Sequence, residues 1–113
     1  MSKRHPELLL EDIIESAEKI MSYTDGLTYD EFLKDSLTVD AVIRNFEIIG
    51  EAANRLPEDV KENNTEIDWF KIKGLGNRVV HDYFGIDYKI IWFTKETDLP
   101  KLIIQIKSIL NNY

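Results

Sequence analysis

Residues 36–55 read SLTVDAVIRNFEIIGEAANR, and apolar side chains recur in this stretch every three or four positions. At about 100° per residue, this spacing places them in one stripe along a helix. The stripe consists of Val39, Val42, Ile43, Phe46, Ile49, Gly50 and Ala53. The stretch is therefore predicted to be an amphipathic helix with one buried face.

The same helix carries a second surface, about 120–150° away from the stripe around the helix axis. Its members are Ala41, Asn45, Ile48 and Ala52. Small side chains around one isoleucine allow another helix to approach closely. That helix could belong to the same chain or to a second copy across a twofold axis, the commonest arrangement of small oligomers.

Helical periodicity continues on both sides of this stretch. A first helix is predicted from about Pro6 to Thr24, ended by Asp25-Gly26, and Thr28 with Glu31 has the spacing of a capping box that opens a short helix. Towards the C-terminus three further helices are predicted. The first covers residues 69–84, with Asp68 as its N-cap and Gly85 as its stop. The second covers residues 88–95, with Asp87 as its N-cap, and the third begins near Asp98 and Pro100.

Nothing in the sequence alternates with the period of two that a half-buried strand requires. The predicted connections are short, which favours antiparallel packing of neighbouring helices. The sequence therefore predicts an all-α fold, a four- to five-helix antiparallel bundle in a single domain spanning residues 1–113.

Composition limits the possible classes of protein. With 43% hydrophobic and 31% charged residues, the 113-residue chain is typical of a globular domain. It has no cysteine, which fits a reducing, cytoplasmic environment. Its apolar runs are too short to span a bilayer and its N-terminus does not resemble a signal peptide, so no membrane partner is expected.

The net charge of −7 is evidence against a generic nucleic-acid binder. Affinity for a phosphate backbone comes mostly from Lys and Arg side chains. DNA is not expected as a partner, and an RNA substrate would require the basic residues to be gathered locally.

Residues 77–83, NRVVHDY, form the one dense polar cluster inside an otherwise apolar predicted helix. Asn77 and His81 are one turn apart and share an edge of that helix. Because the unperturbed pKa of histidine is about 6.5, His81 could act as a general acid or base near neutral pH.

The same cluster also fits ordinary structural roles. A lone histidine is more often a surface or core residue than a catalytic one. Arg78 and Asp82 have the i,i+4 spacing of a surface ion pair. Tyr83 would by default be a core aromatic residue with its hydroxyl at the rim.

A metal ion or a cofactor is not expected. The chain has two histidines, without the HxxxH or HExxH spacing that a zinc site requires. Gly74-Leu75-Gly76 is not followed by the lysine of a phosphate-binding loop.

Two long segments resemble a known family. Residues 41–54, AVIRNFEIIGEAAN, look like the signature helix of HepT-type proteins of the HEPN superfamily, and residues 68–87 look like their second signature. The resemblance covers nearly the whole chain. It implies a helical bundle that forms a homodimer around a shared cleft. It also implies a metal-independent ribonuclease toxin of a type VII toxin-antitoxin pair, encoded beside an MntA-type minimal nucleotidyltransferase antitoxin.

The catalytic pattern of that family is an arginine, four residues, a histidine, one residue and a tyrosine. His81 and Tyr83 match the last two places, but Gly76 stands where the arginine belongs. Arg78 is about 200° around the predicted helix from position 76, so it is not a direct substitute. The resemblance implies His81 as acid or base, Asn77 as an orienting residue, and Tyr83 as the acceptor of AMP from the antitoxin.

The glycine predicts a weak or inactive nuclease, because a guanidinium at this place would stabilise charge developing on the phosphoryl oxygens. The sequence is compatible with a naturally degenerate member and with a deliberate replacement. A second functional hypothesis follows: a non-catalytic helical dimer that binds and regulates a partner nucleotidyltransferase.

Arg44 and Glu51 stand seven residues apart on the helix of residues 36–55, away from its apolar stripe. They could line the cleft of a dimer. They could equally belong to a solvated salt-bridge face, since Arg55 is one turn beyond Glu51.

Overall fold

The computed structural model describes residues 4–75 and 87–113, and within these two ranges it contains helices and no strand. The helices are α1 (Pro6–Thr24), α2 (Tyr29–Lys34), α3 (Ser36–Arg55), α4 (Glu58–Glu62), α5 (Trp69–Lys73) and α6 (Tyr88–Leu110). The predicted all-α class is confirmed.

Helix starts follow the predicted capping residues. At the start of α2, the Thr28 hydroxyl accepts from the Glu31 amide at 3.1 Å, and the Glu31 carboxylate accepts from the Thr28 amide at 2.9 Å. Asp68 caps α5 and Asp87 caps α6 through their carboxylates. After α1, Gly26 turns the chain with a φ of 76°, in the left-handed region that favours glycine.

The core is built around α1, which packs along both α3 and α6. Every member of the predicted stripe on α3 is buried, with Phe46 and Ile49 fully inaccessible. On α1 the buried apolar residues are Leu9, Leu10, Ile13, Ala17 and Ile20. The period of the apolar side chains therefore identified the buried face of α3 correctly.

The prediction of two helices after Asp87 was wrong. A single helix, α6, runs from Tyr88 to Leu110 and includes Pro100. A proline inside a helix costs about 3 kcal/mol, because it lacks the N–H that would bond the carbonyl four residues earlier. The adjoining turns bury Leu99, Leu102, Ile106 and Ile109, and each such side chain contributes about 1.5–3 kcal/mol, which outweighs the proline.

The predicted helix over residues 69–84 is interrupted early. The helix α5 ends at Lys73, and Gly74 is its C-cap, donating its N–H to the Phe70 carbonyl at 3.1 Å. Glycine has a low helix propensity, which makes it a favourable place to end a helix. The remainder of the predicted helix, with its stop at Gly85, lies outside the described residues.

The cap of α3 depends on an ionised carboxylate. Asp35 accepts from the Thr38 hydroxyl at 2.7 Å and from the Thr38 amide at 3.1 Å. Both bonds lower the pKa of Asp35, and the bond from the Thr38 hydroxyl has the larger effect. The ionised Asp35 carboxylate therefore stabilises the folded state fully above its unfolded pKa of about 3.9. This stabilisation is lost as the pH falls through the lower pKa of the folded state.

We expect Asp35→Ala to lower the Tm at pH 7, because α3 loses its cap, and the deficit to shrink as the pH falls below about 4. Asp35→Asn is the matched control, since an amide can still cap the helix without titrating. Thermal unfolding followed by circular dichroism from pH 2.5 to 7 measures both. A deficit for Asp35→Ala that stays constant over this range would contradict the assignment.

Candidate functional site

The residues of the predicted catalytic motif all fall in residues 76–86, outside the described part of the chain. They are Gly76, Asn77, Arg78, His81 and Tyr83. Their roles stay predictions. What the structure does place are the two ends from which this segment departs, the end of α5 and the start of α6.

Both ends are held in the fold. On the α5 side, Trp69, Ile72 and Leu75 are buried in the core, and α5 packs against α3. The Trp69 indole donates to the Asn64 carbonyl at 3.0 Å. On the α6 side, the Asp87 carboxylate accepts from the amides of Lys89 and Ile90 and fixes the first turn. Segment 76–86 therefore begins and ends at defined points.

A cleft of about 200 Å³ lies between α5 and α6. Its floor is apolar, formed by Ile67, Ile72, Leu75, Leu99 and Leu102. Its rim is polar, with Glu66, Asp68, Lys71, Asp98, Lys101 and Gln105. Two side-chain contacts cross it: the Lys71 ammonium lies 2.8 Å from the Asp98 carboxylate, and the Gln105 amide donates to the Glu66 carbonyl at 3.2 Å. The cleft adjoins Leu75, the last described residue before the motif.

A second groove lies between the start of α1 and α3, and it contains both Arg44 and Glu51. Glu51 pairs with Arg55 at 3.0 Å, and about 60% of each side chain is exposed, as expected for a solvated pair. Within the described ranges, no carboxylate lies within ion-pair distance of Arg44. The structure thus brings Arg44 and Glu51 into one groove, and the dimer cleft stays a prediction.

The second surface of α3 is partly used inside the chain. Asn45 and Ala52 are buried, and the Asn45 amide donates to the Ala41 carbonyl at 2.8 Å. Ala41 and Ile48 are half-buried, and Ile48 lines the groove that contains Arg44. Intramolecular packing therefore accounts for Asn45 and Ala52 and leaves Ile48 accessible to another molecule.

The distribution of charge was missed when the net charge was considered alone. Residues 1–68 carry seventeen Asp and Glu against seven Lys and Arg, whereas residues 69–113 carry four Asp and Glu against seven Lys and Arg. The first part has a net charge of −10 and the second, which contains the motif, has a net charge of +3. Counting charges by segment would have found this asymmetry.

One lysine precedes the motif in the sequence and one follows it. Lys73 ends α5 and Lys89 lies in the first turn of α6, and both are exposed. Neither pairs with a carboxylate among the residues that the structure describes. Both lie close in sequence to the segment that carries His81.

The model of the family described as "Ribonuclease HepT-like" matches residues 13–109. The chain belongs to this family. The match spans α3, α5 and α6 together with the segment between α5 and α6.

Curated relatives cover almost the full length. The chain is 39% identical over 112 residues to "Putative RNase MJ0127" of Methanocaldococcus jannaschii, covering 99% of this chain and 93% of that protein. It is 40% identical over 100 residues to "Probable ribonuclease HepT" of Thermococcus cleftensis, covering 88% and 91% respectively. It is 36% identical over 105 residues to "Putative RNase TTE0752" of Caldanaerobacter subterraneus subsp. tengcongensis, covering 93% and 94%. The names of these relatives support a ribonuclease-type enzyme.

No solved structure matches the chain significantly. Within the described ranges, none of the helices is long and apolar enough to cross a membrane.

Proposed function

We propose that this chain is a cytoplasmic, metal-independent endoribonuclease toxin of the type VII class, paired with an MntA-type nucleotidyltransferase antitoxin. The observation that carries the proposal is the match of the HepT-like ribonuclease family over residues 13–109, which includes His81 and Tyr83 at the spacing of the catalytic motif.

Cleavage of RNA by its own 2′-hydroxyl requires one proton to be removed from the nucleophile and one to be given to the leaving group. The ribose 2′-hydroxyl attacks the adjacent phosphorus, the bond from phosphorus to the 5′-oxygen breaks, and the products are a 2′,3′-cyclic phosphate and a 5′-hydroxyl. His81 removes the 2′ proton or returns a proton to the leaving 5′-oxygen, a role that suits a group with a pKa near neutrality. Asn77, four residues earlier in the sequence, orients His81 or the substrate.

Because Gly76 stands in place of the motif arginine, the site lacks one group that this reaction requires. The charge that grows on the two phosphoryl oxygens needs a fixed donor, and a guanidinium can give two parallel bonds to them. Loss of one such donor costs on the order of 10²–10³ in rate in comparable sites. We therefore propose that this chain is an impaired nuclease that retains its acid-base residue.

We expect Gly76→Arg to raise the rate of RNA cleavage by about a hundredfold, because the missing donor is restored. The measurement is single-turnover cleavage of a labelled RNA by the purified chain in EDTA. Gly76→Lys supplies a charge without the planar fork and should recover less activity. His81→Ala in the Gly76→Arg background should abolish the gain. If Gly76→Arg cleaves no faster than the original chain, the glycine is not the defect.

Regulation by the partner is the second part of the proposal. The Tyr83 oxygen attacks the α-phosphorus of ATP bound by the nucleotidyltransferase, pyrophosphate leaves and the phenolic proton is lost. The AMP added to Tyr83 introduces bulk and negative charge two residues from His81 in the sequence. Like charge then repels the phosphates of RNA.

Incubation with the neighbouring nucleotidyltransferase, ATP and Mg²⁺ should add the mass of AMP to the chain, at Tyr83 by peptide mass spectrometry. Tyr83→Phe should prevent the addition, whereas Tyr88→Phe, which changes the exposed tyrosine at the start of α6, should not. An unmodified chain in the presence of a demonstrably active partner would contradict this assignment.

RNA would bind along the basic part of the chain, in spite of the overall negative charge. Lys73 and Lys89 are exposed on both sides of the motif. A homodimer, with Arg44 and Glu51 in its cleft, would place two such regions near one another. That arrangement would gather the basic residues that a phosphate backbone requires.

We expect the double variant Lys73→Gln/Lys89→Gln to bind single-stranded RNA more weakly, with a salt dependence reduced by about 1.4 in log–log slope. The matched control is Lys19→Gln/Lys34→Gln, which makes the same change in net charge within residues 1–68. Fluorescence anisotropy from 25 to 200 mM KCl measures both. Equal losses in the two double variants would indicate a general charge effect and contradict a local RNA surface.

The second candidate is a non-catalytic helical dimer that binds and regulates a nucleotidyltransferase. Gly76 is the observation that favours it, since a chain without the donor can still bind a partner. The cleavage measurement on Gly76→Arg separates the two, because only a nuclease site can be restored.

A further inference from the structure

The outward face of α6 carries large apolar side chains that remain exposed to solvent. Phe93 is 61% exposed and Ile90 is 40% exposed. The residues that α6 buries in the core, among them Ile91, Leu102 and Ile106, lie about 160–220° around the helix axis from Phe93. A helix with apolar side chains on two opposite faces buries both when it has a second surface to pack against.

Four exposed side chains surround Phe93 on the helix surface, at the positions three and four residues before and after it. They are Lys89, Ile90, Glu96 and Thr97, and with Phe93 they form what we call the Phe93 patch. Lys89 and Glu96 share one flank, about 40–60° to one side of Phe93, and Ile90 and Thr97 share the other flank at similar angles. The patch therefore has opposite charges on one flank and uncharged side chains on the other.

This arrangement is complementary to itself. When two identical helices pack antiparallel about a twofold axis, the same flank of each meets across the contact, and residues at equal distances before and after the axis face each other. With the axis near Phe93, Lys89 of each copy faces Glu96 of the other, and Ile90 of each copy faces Thr97 of the other. The two Phe93 rings meet at the centre. Parallel packing would instead place lysine beside lysine and glutamate beside glutamate, which is unfavourable.

Both charged side chains can make this contact. Lys89 pairs with no carboxylate among the residues that the structure describes. Glu96 Oε1 lies 3.4 Å from Lys95 Nζ, and 52% of the Glu96 side chain is exposed. A carboxylate has two oxygens that accept several hydrogen bonds, so Glu96 can bind a second ammonium. An ammonium has three donors, so a Lys89 paired at the edge of the contact retains donors for an RNA phosphate.

We propose that the Phe93 patch binds a second copy of this chain, packed antiparallel about a twofold axis near Phe93. The patch shares no residue with the groove that contains Arg44 and Glu51, so this contact is additional to a dimer cleft at that groove. It does not depend on the proposed ribonuclease activity, and its test does not measure RNA cleavage.

Disulfide cross-linking tests which surfaces meet, because the chain has no cysteine of its own. Phe93→Cys places two thiols beside the twofold axis, where mild oxidation can join them. Ile104→Cys is the matched control: Ile104 is 70% exposed on the same face of α6, but the arrangement places it roughly 30 Å from its counterpart. We expect Phe93→Cys to form the linked dimer roughly tenfold faster or more. Equal rates for the two variants would overturn the proposal.

Charge exchange tests the antiparallel pairing. Lys89→Glu sets glutamate against glutamate and Glu96→Lys sets lysine against lysine, so each should weaken self-association roughly tenfold in sedimentation velocity. The double variant Lys89→Glu/Glu96→Lys re-forms both pairs with the charges exchanged and should restore self-association. Lys107→Glu makes the same charge change as Lys89→Glu outside the patch and should have little effect. A double variant that associates no better than either single variant would overturn the pairing.

Substitution at the centre of the patch tests its occupant. Phe93→Glu should lower the mass measured by sedimentation to half or less, whereas Ile104→Glu, which alters an equally exposed position of α6, should leave the mass unchanged. Circular dichroism should show the original helix content in both, since neither side chain is in the core. An unsubstituted chain that stays monomeric would overturn the proposal. So would Phe93→Glu that weakens only the binding of the nucleotidyltransferase, because the patch would then belong to that enzyme.

Discussion

The packing of α1 between α3 and α6 is the constraint on which the other features of this chain depend. Its buried residues, from Leu9 to Ile20, give α3 and α6 a common surface to pack against. The helix α5 then packs against α3, and α6 can accommodate Pro100 because its apolar side chains are already committed to the core. The two described ends of segment 76–86, at Leu75 and Asp87, follow from these placements.

Local signals in the sequence predicted the local structure well. The capping box at Thr28 and Glu31, the caps at Asp68 and Asp87, and the apolar stripe of α3 each involve residues within one or two helical turns of their neighbours. Such features need no knowledge of the rest of the fold. One error arose where distant contacts decide. Asp98 was interpreted as the start of a helix, but it lies inside α6 and pairs with Lys71, 27 positions earlier in the sequence.

The candidate site was likewise predicted only in part from the sequence. The identities of His81, Tyr83 and the missing arginine at position 76 follow from motif spacing, and the HepT-like family match covers them. The cleft beside Leu75 and the groove that contains Arg44 and Glu51 could not be predicted, because each is lined by two helices whose relative placement depends on tertiary packing. The acidic net charge, which argued against RNA, belongs to residues 1–68, while residues 69–113 carry a positive excess next to the motif.

The central claim is that residues 76–83 perform metal-independent cleavage when the donor at position 76 is present, and the chemistry of the product ends tests it most directly. Mass spectrometry of RNA fragments produced by the Gly76→Arg chain in EDTA should find 2′,3′-cyclic phosphate and 5′-hydroxyl ends, because the adjacent 2′-hydroxyl is the nucleophile. Fragments with 3′-hydroxyl and 5′-phosphate ends, formed only when a divalent metal is added, would contradict this account.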